Sequence, residues 1–342
     1  MQNTITLSDF LEQSGARYFV YDMGRGIRPL GTEQFLRFES ASEPYPYPLQ
    51  QHAWLAILGQ HGEDTEGQFI WFLKFPLDER GLLIQGTRDD FMARLIESHA
   101  EGGESREEAP QSPYGFKPKE SVMAAFHAIA TRALGQEPSR YYDHARSYLS
   151  GEPGYDQWAF VGIQGLADVA ARLDELDNRE LLQRALPQLP SPTLVALCGF
   201  LENIDIDVDT AEVLQQLLQN ALADTDINNV AALLRAFSTC SQTKLRDAAV
   251  HSALQSKHRT NVALLAAIAS RNWQSLHNES LAHDFCEALA QNNLGHDAFT
   301  QIMADLLYLP GLRTPLLMQL RDPDRSAALA EAVGVMFNTN QI

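Results

Sequence analysis

The spacing of apolar residues along the chain changes character near residue 100. Before it, short runs of strand length dominate. Residues 18–22 (YFVYD) are aromatic and β-branched and stop at a turn signal. Residues 52–60 (HAWLAILGQ) and 68–75 (QFIWFLKF) are two further runs, separated at 61–67 by HGEDTEG, which has hairpin composition. Residues 81–86 (GLLIQG) read as a fourth strand. Three amphipathic stretches lie between these runs: 6–15 with Ser8 as N-cap, 31–40 capped by Thr32, and 87–100 capped by Thr87. In the last, Phe91, Leu95 and Ile96 form an apolar stripe. The pattern predicts a small α+β domain over residues 1–100, built on an antiparallel sheet.

Residues 101–118 (EGGESREEAPQSPYGFKP) are acidic and rich in Gly and Pro, the composition of a linker. The remainder, 119–342, is predicted to be an all-α domain. From about 155 the helical period runs through 156–173, 178–187, 191–203, 209–223, 226–239, 242–255, 259–271, 279–292, 295–308, 312–320 and 324–337. Paired helices start about 35 residues apart, at 191 and 226 for example. That period belongs to helical-hairpin arrays of the HEAT or tetratricopeptide kind. The Trp, Gly, Tyr and Pro signature of tetratricopeptides is missing, so the expectation is an irregular, solenoid-like (HEAT-like) domain, with a compact bundle as the competing reading. The fold class is thus α+β, a small sheet domain followed by a larger helical one.

Composition narrows the function. The chain has 342 residues, 45% apolar and 20% charged, as in ordinary globular proteins. Its formal net charge of −18 repels phosphate backbones and anionic headgroups. Nucleic acid and membrane are therefore not expected partners. The N-terminal MQNTITLSDFLEQSG has no basic or apolar signal-peptide region. Cys198, Cys240 and Cys286 are far apart and sit in helical patterns, which fits buried thiols in a reducing cytoplasm.

Candidate chemistry is sparse. In VYDMGRGIRPL (20–30), Gly24-Arg25-Gly26 follows a strand, as a nucleotide-binding loop would. Position 29 is proline, however, and a strand-like segment follows where a helix is needed. The stretch reads as a hairpin turn, with Arg25 at its tip and Arg28 beyond, available to an anionic partner. Lys74 and Asp78, in KFPLDERG (74–81), are candidate surface contacts. In YPYP (45–48) the prolines force an extended segment that puts Tyr45 and Tyr47 on one side, to cover a sheet edge or dock on the helical domain. DIDVDT (205–210) imitates a calcium loop, but Thr210 and Gln216 stand where glycine and glutamate are required, leaving an interhelix turn capped by Asp209. His251, His283-Asp284 and Asp305 follow the order of a metal phosphohydrolase without a full ligand set. No nucleophile motif occurs. No catalytic residue, metal or cofactor is assigned.

VYDMGRGIRPL and IWFLKFPLDERGLLIQGTRDDFMARLIE (70–97), with the chain length and helical second half, resemble a gammaproteobacterial family, domain of unknown function 3549. That family has no assigned activity, so the resemblance implies only a bacterial cytoplasmic protein whose two halves form one unit. The expected function is a non-catalytic adaptor that binds a protein with a basic face on its helical surface. The alternative is an enzyme or small-ligand binder with Arg25, Arg28 and Lys74 as anion contacts between the domains.

Overall fold

The computed structural model describes residues 5–61, 67–100, 112–224 and 226–339. It has two compact units, residues 1–118 with 308–310, and residues 119–307 with 311–342.

The first unit is a sheet of order β2-β1-β3-β4, comprising β1 (Arg17–Asp22), β2 (Arg28–Leu30), β3 (His52–Gln60) and β4 (Gln68–Pro76). All neighbouring pairs are antiparallel. Three helices accompany it: α1 (Leu7–Gln13), α2 (Thr32–Glu39) and α3 (Gln85–Ala100). Burial alternates along β4, where Phe69, Trp71, Leu73 and Phe75 are buried and the residues between them only half so. This is the two-residue period of a strand with one face on a core. The buried row joins Leu7 and Leu11 of α1, Phe35 and Phe38 of α2, and Phe91 and Leu95 of α3 in one cluster. Gly59 pairs with Phe69, and a Cβ on it would lie 2.0 Å from the Phe69 ring. The ring therefore lies flat across β3 only because position 59 has no side chain.

Three of the expected strands are present, and the remaining one differs. Residues 81–86 form only an isolated bridge, Leu77 to Leu83, before α3 begins at Gln85. The fourth strand is β2, the continuation of the hairpin. The caps also differ. Thr6, not Ser8, caps α1: its hydroxyl accepts from the Asp9 N–H at 3.1 Å while the Asp9 carboxylate accepts from the Thr6 N–H at 3.1 Å. Ser8 is buried and its hydroxyl donates to Glu39, which also accepts from the Leu7 and Ser8 N–H groups. The Glu39 carboxylate thus faces the positive end of α1, while burial pushes its pKa up. Gly31 precedes α2 in place of a Thr32 cap. Of the expected linker, 101–111 lie outside the described residues, as do 62–66 of the β3–β4 connection. Residues 112–118 run beside β4, where the Lys74 N–H donates to the Tyr114 carbonyl (2.7 Å) and the Phe116 N–H to that of Phe72 (3.1 Å). They cover an edge that would otherwise be open.

The second unit is helical: α4 (Glu120–Ala133), α5 (Tyr142–Ser150), α6 (Ile163–Ala171), α7 (Asn178–Ala185), α8 (Ser191–Leu201), α9 (Val208–Ala223), α10 (Ile227–Ala236), α11 (Thr243–Leu254), α12 (Val262–Arg271), α13 (Glu279–Ala290), α14 (His296–Leu307), α15 (Arg313–Leu320) and α16 (Ala327–Thr339). From α4 onward each even-numbered helix packs on the next even one, through to α16, and each odd one from α5 on the next odd one, through to α15. Sequential contacts such as α5 with α6 and α9 with α10 join the two rows. The expected helix over 156–173 is broken into a 3-10 turn, Tyr155–Phe160, and α6. The turn has no buried residue, so no apolar face holds it in a continuous helix. Asp207, not Asp209, caps α9, its carboxylate accepting from the Thr210 N–H at 2.8 Å.

Charged pairs tie the even row together. Glu202, following α8, accepts from Arg235 Nε of α10 (3.1 Å) and Arg271 Nε of α12 (2.8 Å). Both arginines lie in the last turn of their helix, where a cation is favoured. Cys198, Cys240 and Cys286 are free and buried. Desolvation pushes the Cys198 and Cys286 thiols up to about 12, so neither is a reactive thiolate at neutral pH.

Candidate functional site

Three distinctive stretches of the sequence meet at one end of the sheet. Asp22, at the end of β1, is wholly buried. Its carboxylate accepts from the Tyr45 hydroxyl (2.7 Å), the Gly24 N–H (3.2 Å) and the Arg25 N–H (2.9 Å). Tyr45 is itself buried, and its own N–H donates to the Gly81 carbonyl at 2.8 Å. Residues 22–26, YPYP and DERG are thereby linked through one carboxylate and one tyrosine. Burial pushes the Asp22 carboxyl up to about 6, against the hydrogen bonds and the nearby Arg28, which pull it down. The Tyr45 hydroxyl is held well above its usual range, first by burial and then by Asp22.

The four expected contact residues are held in different settings. Arg25 is 0% exposed, and its Nε donates to the Pro48 carbonyl at 2.7 Å. The turn does contain a glycine at positive φ, Gly26 at 128°. It folds back over the sheet end, though, and Arg25 is not at an exposed tip. Arg28 pairs across the ladder with Asp22, and its guanidinium lies 5.7 Å from the Tyr47 ring. Lys74 is on the opposite outer strand and the opposite face, with its ammonium 4.3 Å from the Trp54 ring. Phe116 meets the same indole edge-on at 4.9 Å. Asp78 closes a turn, accepting from the Arg80 and Leu82 N–H groups at 2.9 and 2.8 Å. Tyr45 does not cover a sheet edge; it is part of the core.

A different site lies in the helical unit and was missed in the sequence. An open groove of about 660 Å³ is lined by Glu137, Ser139, Arg140, Tyr142, Asp143, Glu175 and Leu176, with Pro138. Its two walls are residues 137–143 and 175–176, and buried polar groups join them. The Asp168 carboxylate accepts from the Ser139 N–H at 3.1 Å and lies 3.6 Å from Arg172 Nη1. Arg172, 2% exposed, donates to the Gln136 carbonyl at 3.1 Å and reaches Glu175 at 3.7 Å. Asn178 donates to both the Tyr142 hydroxyl and the Arg172 carbonyl at 2.7 Å. The walls are therefore held in place before any ligand arrives.

The groove's surface is acidic and apolar together. Glu137, Asp143 and Glu175 are exposed, against the single cation Arg140. Leu176 is 74% exposed and has a φ of +51°, a conformation that costs a non-glycine residue energy. Beside the groove, the Arg140 guanidinium stacks 4.9 Å from the Tyr141 ring, and a Cβ on Gly162 would meet that ring at 3.3 Å. Gly162 follows the exposed 3-10 turn, which carries Trp158 (41% exposed) and Phe160 (76% exposed). In the sequence this segment is hidden within a long helical period. The only signal there is GEPG before it and Gly162 after it.

Among the described residues no group of three or more His, Cys, Asp and Glu is placed to hold a metal ion. Asp284, one of the residues considered for such a site, accepts from Gln255 Nε2 at 2.9 Å. Among those residues, too, no helix is long and apolar enough to cross a membrane.

These features define an α+β chain with a locked sheet corner and a two-row helical unit that carries an acidic groove. The chain belongs to the family described as "Protein of unknown function (DUF3549)", whose model matches residues 2–337. No curated protein matches the chain. No solved structure matches it either.

Proposed function

We propose that the protein is a non-catalytic adaptor that binds a protein partner, with a basic and apolar segment of that partner seated at the groove between residues 137–143 and 175–176. The observation that carries this reading is the exposure of Leu176 beside Glu137, Asp143 and Glu175 in a preformed groove, with Trp158 and Phe160 exposed on the turn that leads into Gly162, which packs against the Tyr141 ring. Buried aromatic anchors ringed by charge are the usual energetic centre of protein interfaces. Exposed apolar side chains gathered on an otherwise polar surface mark interaction sites. The two-apart packing of α4 to α16 supports it further, since helical-repeat arrays present extended surfaces of this kind. The net charge of −18 favours a partner with a basic face.

The test is affinity capture of the tagged protein from a lysate of the cells that make it, with quantitative mass spectrometry. A stoichiometric partner is expected. It is lost from Glu137→Lys/Asp143→Lys and weakened as salt rises. A partner retained by that variant, with affinity indifferent to ionic strength, contradicts the groove and its charge.

A further inference from the structure

One polar residue stands on the buried side of α15. Leu312, Leu316, Gln319 and Leu320 are all buried, at the i, i+4, i+7, i+8 spacing of a helix face on a core, and α15 packs on α13. Leucine would suit position 319 by this pattern, and an amide is costly to bury unless it is hydrogen-bonded. Gln319 is 7% exposed, yet its side chain has no hydrogen-bond partner within the protein. Among the described residues, the other buried carboxylate, guanidinium, amide and hydroxyl side chains of the helical unit each make at least one hydrogen bond.

The Gln319 amide is not sealed in, as the unpartnered indole N–H of Trp273 is. It opens on a concavity of about 530 Å³, whose lining includes Glu279 at the start of α13, Leu317 and Met318 of α15, and Arg321, Asp322 and Pro323 beyond it. Leu317, Met318 and Pro323 supply apolar surface. Met318 is 61% exposed, and an unbranched thioether side chain moulds itself to whatever apolar group meets it. Glu279 and Asp322 set two carboxylates against the single guanidinium of Arg321. Asp322 accepts from the Asp324 N–H at 2.8 Å, which fixes its carboxylate at the rim. The charge therefore favours a cation. A primary amide offers a donor and an acceptor side by side. Its complement is one residue of an extended peptide, whose N–H and C=O point to the same side, as in strand pairing.

We propose that this concavity binds an extended segment of a protein partner. Gln319 takes the N–H and C=O of one apolar residue, whose side chain packs on Leu317, Met318 and Pro323. A lysine two residues on, with its side chain on the same face of the segment, meets Glu279 and Asp322. The site shares no residue with the groove at 137–143 and 175–176 and stands or falls separately from it.

The experiment titrates the full chain, labelled with 15N, with the acetylated tripeptide amide Leu-Ala-Lys and with the same peptide methylated on its leucine nitrogen, which removes that N–H. The Gln319 side-chain signals are those absent from Gln319→Leu. Loss of an unpaired amide should leave the fold intact; should it not, Gln319→Met, of closer shape, takes its place. The unmethylated peptide is expected to move the Gln319 side-chain signals and to bind about tenfold more tightly than the methylated one, the worth of one neutral hydrogen bond. In Gln319→Leu that preference disappears. Absence of binding, equal binding of the two peptides, unmoved Gln319 signals, or a preference that persists in Gln319→Leu would each overturn the proposal.

Discussion

Arg25 and Phe160 are each the reverse of what their chemistry suggests. The arginine, in the sheet unit, is 0% exposed and bonded to a backbone carbonyl, while the phenylalanine, in the helical unit, is 76% exposed on a turn with no buried residue. The sheet unit uses charge to fix its own fold. Asp22, Arg25 and Glu39 are all buried there, each with hydrogen bonds that span sequence-distant segments or close a turn. The helical unit buries charge within one helix, as in Asp168 with Arg172, and between helices, as in Glu202 with its two arginines, and leaves aromatic surface outside. The distinctive residues of the sheet unit therefore hold its own fold together. The GRG and YPYP stretches stand out because a buried polar corner tolerates few alternatives. The groove is built of ordinary residues in an unusual position.

The strongest way to break this contrast is to remove the corner. Asp22→Ala strips three donors, the Tyr45 hydroxyl and the Gly24 and Arg25 N–H groups, of their acceptor inside the protein and removes the carboxylate that faces Arg28. We expect a loss of about 3 kcal/mol or more in chemical denaturation, confined to the sheet unit. A smaller loss would mean that the buried charges are decoration. In the helical unit, Glu202→Ala removes the carboxylate that two partly buried arginines share and should cost about 2 kcal/mol, read from the unfolding of that unit. Gly59→Ala pushes a methyl into the Phe69 ring and is expected to cost about 1–3 kcal/mol; a neutral result would show that the ring moves freely.

A weaker effect separates the two units by pH. Burial raises the folded Asp22 carboxyl to about 6 from an ordinary 3.8. Between those values the folded protein keeps a proton that the unfolded chain has lost. The sheet unit's stability from this group is complete below about 3.8, declines as pH rises to about 6, and is level above. Denaturation midpoints of the sheet unit measured across that window should show the decline in the wild type and a smaller one in Asp22→Ala, where buried Glu39, whose carboxyl is also pushed up, still contributes. The smallest expected effect is on stability in Trp158→Ala/Phe160→Ala. Exposed side chains away from caps and cores change stability by no more than about 0.5 kcal/mol, and a larger loss would mean that the turn is structural.

The periodic parts of the fold were legible in the sequence. The strands at 18–22, 52–60 and 68–75 alternate or run apolar because one face meets a core, and each helix boundary from 178 onward lies within a few residues of the observed one. The caps at Ser8, Thr32 and Asp209 were misplaced because several capping residues stand in a row, and only tertiary partners such as Glu39 decide among them. The inward turn of Arg25 was not legible, since its acceptor, the Pro48 carbonyl, is 23 residues away. The groove was hidden for a similar reason: residues 137–143 and 175–176 are joined by Asp168, Arg172 and Asn178, which the helical period marks only as polar positions.

The claim that function lies on the helical groove, and not at the GRG turn, is tested most directly by one paired measurement. The affinity of the captured partner is determined for the wild type, for Trp158→Ala/Phe160→Ala and for Arg25→Ala, each corrected for its folded fraction. We predict that the aromatic double variant folds normally and loses at least about 2 kcal/mol of binding, roughly 30-fold, while the folded fraction of Arg25→Ala binds like the wild type. Unchanged binding by the aromatic variant, with binding lost in folded Arg25→Ala, would contradict the account.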